Sequence, residues 1–149
     1  MVAASAPAKP PGRTVRVSHR YAAAPAEVFG AWLDAQVAGR FLFATALRPM
    51  REARVEPRVD GEFRFAESAD APAHTGRYVE IVPDRRLVFT LRGPLQERDT
   101  GRVRVEIEPR ARGCALTLTH EALPQRVAGR ARDRWRGILY GLDMTLQRA

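Results

Sequence analysis

A chain of 149 residues carries a net charge of +8 at neutral pH, 45% apolar residues and one cysteine, Cys114. That length suits one domain with a substantial core rather than two. No run approaches the ~20 apolar residues of a membrane span, and one cysteine excludes an internal disulfide framework and a thiolate-pair zinc site.

The N-terminus has no apolar block of a secretory signal, so a soluble protein of the reducing cytoplasm, away from membranes, is expected. The positive charge is almost wholly arginine, with Lys9 the sole lysine. These arginines are spread along the chain, without the compact basic run and interleaved aromatics of single-strand binders, so nucleic acid is not an expected partner.

Residues 1–12 are alanine- and proline-rich without apolar periodicity and read as a flexible tail, leaving 13–149 as one domain. Thr14 to Tyr21 alternates, with Val15, Val17, His19 and Tyr21 on one face, the period-two signature of a half-buried strand. Pro25 then stands in a first helical turn, where its missing N–H costs nothing. Val28, Phe29, Trp32 and Leu33 share one side of the helix it opens, and Val37, Phe41 and Phe43 predict a short second helix or turn.

From Leu47 the pattern becomes short strands. Leu47 to Val55 is a strand in which Pro49 is tolerable only at an edge or bulge. Asp60-Gly61 marks a turn before the alternating Phe63 and Phe65. Glu67 to Ala73 is a loop, Gly76 to Val82 and Arg86 to Arg92 flank the tight turn Pro83-Asp84-Arg85, and Gly93 to Asp99 is a second loop. Arg102 to Glu108 and Cys114 to Glu121 alternate as a hairpin turning through Pro109 to Gly113. After Pro124, the positions Ala128, Ala131, Trp135, Ile138, Leu139, Leu142 and Leu146 recur at three and four, tracing the apolar stripe of a long helix. Arg126, Arg130, Arg134, Gly137 and Gly141 fall on its opposite face, the glycines either as tolerated drift or as a place where another backbone, such as a second subunit, approaches.

With this layout in place, four stretches resemble the activator of heat-shock protein 90 ATPase-like family, in the START-like superfamily that includes birch pollen allergen relatives and polyketide cyclases. They are Tyr21 to Trp32; Val59 to Phe65; Gly76 to Pro83 with Arg86 to Thr90; and Leu116 to His120 followed by the helix containing Trp135. The resemblance runs from Thr14 to Leu146. It implies an α+β helix-grip fold: a curved antiparallel sheet of six or seven strands around a long C-terminal helix, two short helices after the first strand, and a cavity between sheet and helix. Where many relatives carry a pair of tryptophans this chain has Arg40-Phe41-Leu42-Phe43, so no ligand preference transfers. No catalytic residue transfers either, because the family shares no catalytic motif.

The residues themselves offer few constellations. His19, His74 and His120 never fall within four residues of one another, so no metal spacing exists, and the phosphate-loop, dinucleotide and nucleophile-elbow motifs are absent, so no cofactor is expected. His19 and Cys114 could meet across neighbouring strands, although a buried cysteine packed as a small hydrophobe is the default. His120 continues the apolar face of Leu118 and points either into a cavity mouth or, at a strand end, to solvent. Glu80 shares a face with Tyr78 if that face is inward, but Val79 and Ile81 compete for the inside, and alternation leaves the matter open.

Trp32, Phe41, Phe63, Phe65, Phe89 and Trp135, with Leu139, are candidates for a cavity wall, or are simply core. The expected ligand-binding set is therefore these seven with Tyr78, Glu80 and His120. Three functions follow as expectations. The first is non-catalytic binding of an apolar or amphipathic small molecule. The second is a chaperone-associated, stress-response module, although such activators carry an additional domain that a chain of this length does not accommodate. The third is a cyclase- or hydrolase-like enzyme using Glu80, His120 or Tyr78 for proton transfer. A homodimer is compatible with any of them.

Overall fold

The computed structural model describes residues 12–44, 48–94 and 101–147. Of the segments read from sequence, the tail up to Pro11, Leu47 and the 95–99 part of the second loop lie outside these residues. The described chain forms β1 (Arg13–Tyr21), α1 (Pro25–Leu33), α2 (Ala35–Phe41), β2 (Glu52–Val55), β3 (Glu62–Ala66), β4 (His74–Val82), β5 (Arg86–Thr90), β6 (Arg102–Arg110), β7 (Gly113–Leu123) and α3 (Gln125–Gln147). All seven strands pair antiparallel in the order β1-β7-β6-β5-β4-β3-β2, one curved sheet. The chain meanders from β2 to β7 and the first strand closes beside the last, so α1 and α2 must bridge between opposite sheet edges. This is the α+β helix-grip architecture expected.

Local chemistry sets the element ends. Pro25 occupies the first turn of α1, and Asp34 caps α2 by accepting from the amides of Gln36 at 3.0 Å and Val37 at 3.4 Å. Asp60 and Asp84 take left-handed conformations, φ 68° and 63°, at the turns read from sequence. At Gly76 the backbone passes so close to β5 and Phe63 that a Cβ would lie 2.1 Å from the Thr90 carbonyl oxygen and 2.4 Å from Phe63 Cζ, so only glycine fits.

The strands differ from the sequence reading in several details, among them that β4 begins at His74, β5 ends at Thr90 and β7 runs on to Leu123. β2 begins at Glu52 rather than Leu47, leaving Pro49 in the connection and the strand at the sheet edge. The β6–β7 turn is shorter than expected, with Pro109 paired to Cys114 inside the ladder. Pairing with β5 ends at Glu106, so the N–H that Pro109 lacks has no strand to serve on that side. β4 carries a bulge: Tyr78 pairs with Phe89 but Glu80 with the next residue, Val88, leaving Val79 as the extra residue.

The core is one cluster joining every layer, from Val15 and Tyr21 through Trp32 and Phe41 to Leu139 and Leu142. Trp32 meets Phe41 edge-on at 5.4 Å, Phe63 meets Phe89 edge-on at 5.4 Å, and Phe63 contacts Tyr78 and Phe65 at 5.5 and 5.7 Å. The helix α3 is fastened to β1, where the Tyr21 hydroxyl donates to the Leu139 carbonyl and His19 Nε2 meets Asp143 Oδ2, both at 2.8 Å.

Candidate functional site

A cleft of about 870 Å³ opens beside α3. One wall is a flank of α3 running from Asp133 and Arg134 through Gly137 and Ile138 to Met144 and Thr145; the other is Arg40 of α2, Phe43, Ala44 and Pro49 after it, and His74 at the start of β4. α3 exposes this flank because the residues one step round from its buried stripe of Trp135, Ile138, Leu139 and Leu142 fall here. Gly137 widens the cleft, as no atom of another described element lies within 4 Å of the position its Cβ would take. Gly141 does not project outward as its place on the helix wheel suggested. Its Cβ position lies 3.6 Å from Phe41 Cβ, so the close approach there is α2 of the same chain.

The polar side chains of the described cleft lining are Arg40, His74, Asp133, Arg134, Tyr140 and Thr145. His74 lies flat on Phe43, ring centroids 4.0 Å apart and 4° from parallel, and its buried Nδ1 has no hydrogen-bond partner among the described residues. Burial, and then the nearby Arg134 guanidinium, pushes its pKa down from 6.5 to about 4, so the ring is neutral at physiological pH. Phe43, at φ 59°, also meets the edge of Trp135 at 5.8 Å, tying the cleft wall to the core. No carboxylate lies within 4.0 Å of Arg40 or Arg134 among the described residues, and Asp133 is the one acidic side chain in the described lining.

None of the ten residues expected to bind ligand lines this cleft. Trp32, Phe41, Phe63, Phe65, Tyr78, Phe89, His120, Trp135 and Leu139 are all buried in the packed core. Their rings pack between sheet and helices rather than around the cleft, and Phe63 alone of them borders a second hollow, on the β2–β5 side of the sheet. His120 reaches neither a cavity mouth nor solvent. Its Nδ1 accepts from Trp135 Nε1–H at 3.0 Å, fixing the indole that fills the centre of the α3 stripe.

The β4 bulge decides Glu80. A one-residue insertion reverses which side chains face inward, so Tyr78 is buried while Glu80 turns out and pairs with Arg86 at 3.5 Å. The two do not share a face, and the proposed proton-transfer group is not assembled. Nor do His19 and Cys114 form a reactive pair, since His19 is engaged by Asp143 and Cys114 Sγ donates to the Ala23 carbonyl at 3.6 Å. Burial raises the Cys114 pKa, which keeps it a thiol.

The sequence reading missed His74, Phe43 and Arg40. The available signal was the run Arg40-Phe41-Leu42-Phe43, an arginine among aromatic and apolar residues at the end of α2. Among the described residues no group of His, Cys, Asp and Glu could hold a metal ion, and no helix is long and apolar enough to cross a membrane.

Comparison with known proteins follows the fold closely. The profile of the family described as Activator of Hsp90 ATPase homolog 1-like protein matches residues 22–147. A protein from Rhizobium leguminosarum superposes with a TM-score of 0.78 at 19% identity, covering 92% of this chain and 95% of that one. An AHSA1-like protein from Aeromonas hydrophila gives 0.77 at 20% identity, covering 91% and 92%. The Aha1 dimer from Colwellia psychrerythraea gives 0.73 at 10% identity, covering 88% and 93%. No curated protein matches the sequence significantly.

Proposed function

Because the chain belongs to the Activator of Hsp90 ATPase homolog 1-like family, we propose that it is a non-catalytic helix-grip binding domain of the cytoplasm, holding an apolar or amphipathic small molecule in the cleft beside α3. The observation that carries this reading is the cleft itself: about 870 Å³, within the ~300–1,000 Å³ of ligand sites, with an apolar wall of Phe43, Pro49, Ile138 and Met144 beside the polar side chains of Arg40, His74, Arg134 and Tyr140. Burial of apolar ligand surface, ~25 cal/mol per Å², supplies the driving force.

Native mass spectrometry of freshly purified protein tests this, together with thermal shift on adding the neutral amphipaths naphthamide and dodecanamide. A retained small molecule, or a raised melting temperature that Gly137→Leu abolishes by filling the cleft, is the expected result. Absence of both, with charged as well as neutral probes, overturns the reading.

A second reading is favoured by the family description and by the dimeric Aha1 neighbour: a module that acts on a chaperone through its surface, as a monomer or homodimer. It predicts that the chain changes the ATPase rate of Hsp90, and that Gly137→Leu leaves this effect intact.

A further inference from the structure

We propose that the cleft selects an amphipathic anion, its carboxylate head held by Arg134 and Arg40 and its apolar body lying against Phe43, Ile138 and Met144. The inference rests on the cleft being a ligand site and adds the charge class of what it takes. Two exposed arginines line this space, Arg134 from α3 and Arg40 from α2, with a single carboxylate, Asp133, a neutral imidazole and the uncharged Tyr140 and Thr145. The described lining is therefore net cationic around an apolar wall. A guanidinium offers a planar fork of donors matched to two carboxylate oxygens, and neither fork is filled by an acid among the described residues.

His74 lines the same cleft as a neutral ring, its Nδ1 buried and without a partner among the described residues. A neutral ligand leaves the guanidiniums to water. The chain's overall +8 adds long-range attraction for any anion, so the test must separate the local charges from the global one.

Isothermal titration calorimetry on the full chain at low salt compares two matched pairs, naphthoate with naphthamide and dodecanoate with dodecanamide. At least one carboxylate is expected to bind about fivefold or more tightly than its amide. Arg134→Gln should erase most of that preference without weakening the amide. Arg130→Gln, which removes the same charge from α3 outside the described lining, should leave the preference in place, and Gly137→Leu should abolish binding of both members.

Equal binding of acid and amide, or a preference lost equally in Arg130→Gln and Arg134→Gln, overturns the anion inference while the ligand-site reading stands. Binding of none of the four probes, or binding indifferent to Gly137→Leu, overturns both.

Discussion

At the scale of single residues, two histidines that look alike in the sequence do different work because of their surroundings. His120 is buried as the acceptor for Trp135 Nε1–H. His120→Leu should therefore leave a buried indole donor unpaired at a cost of ~2 kcal/mol in urea denaturation, while His120→Gln, whose amide oxygen can accept, recovers part of the loss. Equal losses in the two variants would show that packing alone matters there.

His74 gives a pH signature. Its pKa of about 4 when folded lies below the ordinary 6.5, so between those values the unfolded chain binds the proton and the folded one does not. The stability this contributes is complete above pH 6.5 and is lost as pH falls toward 4. His74→Phe keeps the stack on Phe43 and should flatten that part of the stability profile; an unchanged slope in the variant would assign it to other groups.

At the scale of elements, α3 serves two neighbours at once. Its stripe of Trp135, Ile138, Leu139 and Leu142 enters the core while the next flank forms the cleft, and Ile138 belongs to both. Gly137 sits in that flank at a cost in helix propensity and with free space around it. Gly137→Ala should raise stability by ~1 kcal/mol, read as a higher melting temperature, because no described neighbour obstructs the added methyl. A loss of stability instead would mean that the cleft wall closes on this glycine. Glu80 illustrates the opposite case, an exposed ion pair with Arg86 on the outer sheet face. Glu80→Gln is expected to change stability by less than ~1 kcal/mol in the same assay.

At the scale of the whole molecule, one apolar cluster runs through sheet and helices, and three side-chain bonds lock α3 onto it: Tyr21 to Leu139, His19 to Asp143 and Trp135 to His120. Burial, and then Asp143, raises the Tyr21 pKa, which keeps its hydroxyl a donor. A domain built this way should unfold in one cooperative transition, with far-ultraviolet circular dichroism and tryptophan fluorescence superimposing through the urea range. Separate transitions would mean that α3 undocks while the sheet survives.

The order of elements, the strand faces of β1, β3, β6 and β7 and the apolar stripe of α3 were legible from residue pattern, because each rests on periodicity within one segment and needs no knowledge of its neighbours. The orientation of Glu80 was not, since a bulge is a mismatch between two strands and leaves no mark in the alternation of either. The cleft was not legible for the same reason. Arg40 with Phe43, His74 and Gly137 come from three segments distant in sequence, and only the tertiary packing around α3 brings them to one space. Whether an aromatic ring walls a cavity or fills a core likewise depends on what occupies its other face. That choice between packing and vacancy is made by the assembled layers and not by the ring's own chemistry.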